Sequence, residues 1–254
     1  MRVVSLVPSL TETLFALGLT ADEVVGRTPW CIHPAPLVER VAVVGGTKTP
    51  NLKKIARLQP DLVVLDREEN PRATYDALRE AGIAVWVAEV RRVADVPGML
   101  ESLGAAIDRP QPARELADAL RDELAHCPRD RSGDGPVALP LIWHEPLMAL
   151  SPTRYGGDLV RTAGYRVPDL DPPDGNGYPT VTPRAIGAAG VELLLLTSEP
   201  HDFTPAEGEA IADAVAAEGF ARPVPLKVDG EALTWFGART ADGLRWFRAL
   251  ASNR

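Results

Sequence analysis

Several stretches of this 254-residue chain carry side chains able to do chemistry. Cys31-Ile32-His33 offers a thiol and an imidazole two residues apart, donors suited to a soft or borderline metal ion. Zinc sites take three or four protein ligands, so this pair is incomplete by itself. His144, Glu145, Glu199 and His201 fall in other loops, and only the fold can bring them together. The structural reading of Cys31 is a packed loop with a partly buried thiol, with heme or cobalamin ligation by His33 as the chemical alternative. Arg67-Glu68-Glu69-Asn70 puts two carboxylates after an apolar run that ends at Asp66. Nothing near them in sequence would push their pKa values apart, as an acid–base pair requires. Solvated loop charge is therefore expected, with Asn70 capping the helix that follows. Glu199-Pro200-His201 mirrors this loop in the second half and keeps a ligand role open.

Two familiar chemistries fail on spacing. Gly45-Gly46-Thr47-Lys48 lacks the G-x-x-x-x-G-K-[ST] pattern that wraps a phosphate, although Thr47 and Lys48 suit a ligand loop at a strand's carboxyl end. There is no G-x-S-x-G elbow, and Ser9 reads as a helix cap paired with Glu12 rather than a nucleophile. The aromatics point elsewhere. Trp30, Trp86, Trp143 and Trp235 all fall at or near predicted strand ends, where flat rings can wall a large planar ligand.

The elements that must position these residues follow from the apolar pattern. Arg2–Val7 is a buried strand that runs into a helix stopped by Gly18. Strands are expected at 24–27, 41–44, 61–66 and 83–87, with helices at 51–58 and from Pro71 to Ala81. This alternation predicts a parallel-sheet α/β lobe. Pro112–His126, rich in Ala, Leu, Arg and Glu, predicts one helix of roughly 15 residues, about 23 Å long. RDRSGDGP after it has the composition of an exposed linker. Strands at 137–143, 147–150, 191–197 and 224–228 follow, with helices at 155–163, 182–190, 204–218 and 240–251. Tyr165–Thr182 is irregular loop. QPDLVVLDREENP and GVELLLLTSEPHDFTP echo each other, which suggests two similar lobes. The division is then an α/β lobe over 1–108, a connecting backbone helix over 109–128 and a second α/β lobe over 129–254.

Composition narrows the partners. A net charge of −8 opposes nucleic-acid binding, which demands a basic face. Two cysteines are too few for a disulfide framework. No apolar run approaches the roughly 20 residues that span a bilayer. The first strand starts at Arg2 with no basic and apolar leader before it, so a cytoplasmic location is expected. A periplasmic or cell-surface location is the alternative if a leader has been lost.

VVSLVPSLTETLFALG, VGGTKTPNLKKIARLQPDLVVLDREEN and, more loosely, LTWFGAR resemble the cobalamin- and iron-siderophore-type substrate-binding proteins of ABC importers, the helical-backbone metal-receptor group. The resemblance implies two Rossmann-like α/β lobes with central sheets, joined by one long backbone helix. It implies a non-catalytic protein that binds a bulky metal chelate (cobalamin or another corrinoid, heme, or an iron-siderophore) between its lobes and hands it to an ABC permease. No covalently bound cofactor and a monomeric chain are expected. Carried over by motif, the ligand residues are Ser9, the Thr28–His33 loop, Asp66 with Arg67, Trp86, Thr234, Trp235 and Arg239. Trp30, Cys31, His33, Thr47, Lys48, Glu68, Trp143 and Glu199 complete the expected set. Arg72 stands where the family's N-lobe permease-docking glutamate is expected. The rival readings are a metal-dependent enzyme, or a direct zinc or manganese binder, built on Cys31, His33 and the acidic loops.

Overall fold

The computed structural model of the protein describes residues 1–127 and 135–252. The chain forms two compact units. The first holds Met1–Val90, Asp95–Arg121 and Phe236–Arg239; the second holds Arg91–Ala94, the described residues from Asp122 to Trp235, and the chain from Thr240 onward. Most of the predicted linker RDRSGDGP lies outside the described residues.

In the first unit, β1 (Val3–Ser5), β2 (Val24–Arg27), β3 (Ala42–Val43), β4 (Leu62–Asp66) and β5 (Val85–Ala88) make one parallel sheet, in the order β3-β2-β1-β4-β5. β1 and β4 are central and buried along their whole length, which is why they read as unbroken apolar runs. α1 (Pro8–Ala16), α2 (Leu52–Arg57), α3 (Arg72–Glu80) and α4 (Val96–Ala106) complete the alternation. Ile55 of α2 and Leu78 of α3 pack with Val4, Leu6, Val63 and Leu65 of the central strands in one core. The strand order reverses between β1 and β4, the place where open α/β sheets leave a crevice at their carboxyl edge.

α5 (Pro110–Ala125) is a 16-residue helix that begins among residues of the first unit and ends among those of the second. Ala113, Ala117 and Leu120 form its buried stripe, and its other faces are charged.

The second unit is built on β6 (Ala138–Trp143), β7 (Met148–Ala149), β8 (Leu193–Thr197) and β9 (Val224–Val228), in the order β7-β6-β8-β9. β6, β8 and β9 are parallel and β7 is antiparallel to β6. Its helices are α6 (Tyr155–Thr162), α7 (Pro183–Ala188), α8 (Pro205–Ala217), α9 (Gly230–Thr234) and α10 (Thr240–Ser252). Leu139, Leu141, Leu194, Leu196, Phe203, Ile211 and Val215 sit in its core. The expected architecture, two α/β lobes with central sheets and one long connecting helix, is what the chain forms.

Two helices were not anticipated, and one expectation is corrected. α4 had no predicted counterpart; its Pro97 falls in the first turn, where a missing N–H costs no helical bond. α9 also had no predicted counterpart; Asp229 caps it through the Glu231 and Ala232 N–H groups. Ser9 does not cap α1: Val7 holds the N-cap position, Pro8 opens the helix, and Ser9 already lies inside it. Gly18, at φ +90°, ends that helix as its position suggests.

Candidate ligand-binding surfaces

At the carboxyl edge of the first sheet, Asn70 ties three segments together. Its Nδ2 donates to the carbonyls of Leu6 (3.3 Å) and Thr47 (2.9 Å), and its Oδ1 accepts from the Asp66 N–H at 2.9 Å. The expected helix cap is thus corrected: Pro71 occupies the N-cap of α3, and the amide of Asn70 turns back to the sheet. Asp66 is 3% exposed, and its Oδ1 accepts from the Glu68 and Glu69 N–H groups, each at 2.9 Å. Burial pushes the Asp66 carboxyl up from 3.8 to about 6; the two N–H bonds oppose the rise, and the Glu69 and Glu68 charges add to it. Lys48 Nζ donates to the Glu68 carbonyl at 2.9 Å, and Arg67 pairs with Glu89 at 2.7 Å. Asp66, Arg67, Glu68, Thr47 and Lys48 are therefore brought together at the switch point of the sheet.

The loop after β2 is anchored from below. Cys31 is fully buried, with its Sγ 3.0 Å from Thr11 Oγ1 and 3.2 Å from Thr28 Oγ1. Burial pushes its thiol above the ordinary range, against the bonds from Thr11 and Thr28. Its neighbour Trp30 is 66% exposed. Ser9 is buried in α1, with its carbonyl accepting from Thr13 Oγ1 at 2.7 Å. Trp86 lies in β5 opposite Val64, half-buried, with Nε1 donating to Ser102 Oγ of α4 at 3.1 Å.

Sequence reasoning missed the partner of Arg239. The guanidinium makes a two-pronged pair with Glu12 of α1, at 2.9 and 2.7 Å. Glu12 was spent on a cap that does not form. Gly237 lets this segment approach α1: at φ +110°, a Cβ there would stand 2.2 Å from Thr13 Oγ1. The same hydroxyl accepts from the Ala238 N–H at 3.1 Å.

In the second unit, Trp143 ends β6, is 42% exposed, and donates its indole N–H to the Glu145 carbonyl at 2.9 Å. Glu199, after β8, accepts from Thr234 Oγ1 at 2.9 Å and from the side chain of Trp235. Its carboxyl is pushed up by burial, with Glu231 and Asp229 adding to the rise. Trp235 is 7% exposed. His144, one residue beyond β6, and His201, in the loop after β8, converge with Glu207 of α8. Their ligand atoms lie within 4.8 Å of one another, the one such group of metal-type donors among the described residues, and Cys31 and His33 are not part of it. The convergence was out of reach by spacing; its signal was a His shortly beyond the carboxyl end of each of two strands that pair in parallel.

Two sheets whose carboxyl edges carry exposed rings and pinned polar loops define an α/β ligand-binding architecture. The chain belongs to the periplasmic binding protein family, whose model matches residues 3–217. It is 25% identical over 166 residues to a vitamin B12-binding protein of Pectobacterium carotovorum, covering 64% of this chain and 59% of that one. It is 32% identical over 124 residues to the vitamin B12-binding protein of Salmonella typhimurium, covering 49% and 45%. The matches thus span about half the length of these relatives. Among solved structures, the periplasmic vitamin B12 binding protein BtuF of Vibrio cholerae shares the fold, with a TM-score of 0.79 at 19% identity over 100% of this chain and 98% of that one. The periplasmic heme-binding protein RhuT from Roseiflexus sp. RS-1 does so too, with a TM-score of 0.79 at 21% identity over 98% of each chain.

Proposed function

We propose that the protein is a non-catalytic carrier of a bulky metal chelate, of the cobalamin or heme type, which it delivers to an ABC importer. One observation carries the reading beyond family membership: Trp30 and Trp143 stand open at the carboxyl edges of their own sheets, Trp30 on the loop pinned by buried Cys31 and Trp143 at the end of β6 with its indole N–H bonded to the Glu145 carbonyl. An indole that stays exposed on an anchored loop offers a flat apolar face at little ordering cost. Trp235, enclosed and bonded to Glu199, supports the loop after β8, whereas Trp86 lies within β5 against Ser102 of α4. The relatives that bear the name bind vitamin B12 or heme, which share a flat tetrapyrrole-type ring around a metal. In place of the cytoplasmic location expected from the opening residues, we propose the periplasmic one that the family's description carries. No helix among the described residues is long and apolar enough to cross a membrane.

Hemin and cyanocobalamin, each titrated into the protein, are the test. One of them should quench tryptophan fluorescence saturably. Burying a ring face at roughly 25 cal/mol per Å² contributes about 1–3 kcal/mol, so Trp30→Ala and Trp143→Ala should each weaken binding about tenfold or more with the melting temperature unchanged. Saturable binding that both variants retain in full, or no binding of either chelate, would refute the reading.

A further inference from the structure

The cluster in the second unit has the form of a cation site beside the chelate surface: the Trp143 ring stands edge-on to His201 at 6.0 Å between centroids. β6 and β8 are parallel neighbours in register, Leu141 opposite Leu196, so the residues that follow them emerge side by side. That register brings His144 beside His201. Their rings stack at 5.6 Å between centroids and 14° between planes. Both rings pack edge-on against Phe203, which is 1% exposed, at 6.1 Å from His144 and 4.6 Å from His201. The imidazoles are therefore held by a buried ring and do not wave from a loop.

The third donor is fixed independently. Glu207 and Thr204 form a capping box at the start of α8: Glu207 Oε2 accepts from the Thr204 N–H at 2.6 Å and from its hydroxyl at 2.8 Å. These bonds fix the orientation of the carboxylate at the start of the helix. With Oε2 committed, Oε1 faces the histidines, 3.1 Å from His201 Nε2 and 3.5 Å from His144 Nδ1. Donors around a tetrahedral zinc ion, with bonds of about 2.0–2.1 Å, stand about 3.3–3.4 Å apart. The two separations from Glu207 bracket that value, and all three donor atoms lie within 4.8 Å of one another.

We propose that His144, His201 and Glu207 form a three-donor site for a divalent transition-metal ion of the zinc class, with its remaining coordination open to solvent. Two imidazoles and a carboxylate suit zinc, cobalt and nickel better than calcium or magnesium. The side chains are 32%, 29% and 24% exposed, enough for an ion to enter without any part of the fold opening. The site requires no chelate, and it is distinct from the Cys31–His33 pair, whose thiol is sealed.

The probe is the cation alone. Titration calorimetry of the full-length protein with Zn²⁺ should show one equivalent bound, and Co²⁺ should give visible d–d absorption that Zn²⁺ displaces. His144→Ala and His201→Ala should each weaken binding tenfold or more, whereas Cys31→Ser should leave it unchanged. Should an alanine variant unfold, His144→Gln and His201→Gln retain the bulk and the bond to Glu207 while removing the imidazole donor. Absence of Zn²⁺ binding in the wild type, or a change of less than tenfold in the folded histidine variants, would overturn the proposal. Because no heme or cobalamin is present, either result leaves the chelate reading to its own test.

Discussion

Replacing Asp66 by Asn should remove an acid sensitivity of inverted sign at one point of the first unit. In the folded chain the Asp66 carboxyl titrates near 6, against 3.8 in the ordinary state, because it is buried. A group that holds its proton more tightly when folded adds stability below the lower value, and that addition is lost as the pH rises through the upper one. At about 1.36 kcal/mol per tenfold, the rise from 3.8 to about 6 amounts to about 3 kcal/mol. Asp66→Asn keeps an Oδ1 to accept the Glu68 and Glu69 N–H groups but cannot titrate. The stability of wild type relative to the variant should therefore fall by up to about 3 kcal/mol between pH 4 and pH 7. In urea this moves the difference in midpoints by roughly 1 M, for a slope of about 2–3 kcal/mol/M. Parallel urea series at several pH values measure it, and the carbon-13 shift of the Asp66 carboxyl gives its midpoint directly. A wild-type-minus-variant difference that stays flat, or that rises with pH, would show that burial does not govern this group.

Two further outcomes follow from other packed groups. With a fully buried thiol pushed up by burial, Cys31 should resist a thiol reagent at pH 8 in the native protein, while half-buried Cys127 reacts; equal rates before unfolding would contradict this. Arg239→Gln should cost about 1–3 kcal/mol in thermal unfolding by stranding the Glu12 carboxylate, and Glu12→Gln with Arg239→Gln together should cost less than the sum of the single changes. Strict additivity would show that the pair carries no coupling.

Much of the fold was legible because its strongest signals are local. β4 and β8 are fully buried strands and read as unbroken apolar runs, β9 has the predicted ends, and the Thr204–Glu207 box forms as its spacing suggests. The long helix betrays itself by composition, starting two residues earlier than expected. What escaped was decided across the sequence. The role of Glu12 depends on Arg239, 227 residues away, and that of Asn70 on carbonyls at Leu6 and Thr47. Glu207 closes the capping box of its own helix, yet its second oxygen faces histidines supplied by two other segments. Local pattern reports what a residue does for its own helix or strand. It is silent on the face that residue turns to a distant one.

The strap Phe236–Arg239 has a consequence for how the chain is made. It belongs to the first unit, fastened to α1 through Thr13 and Glu12, although the residues on both sides of it belong to the second. Arg91–Ala94 is the reverse loan: Val93 donates its N–H to Asp158 of the second unit at 2.9 Å. During synthesis, therefore, the first unit leaves the ribosome with the Glu12 carboxylate still lacking its arginine. At about 5–20 residues per second, its last piece arrives on the order of ten seconds later. A gene cut after the long helix would yield a first half lacking the strap's bonds to Glu12 and Thr13, and a second half lacking the Val93 N–H bond to Asp158. The two units are distinct as bodies but not as heritable parts, so a shuffled half would have to carry its borrowed segment with it.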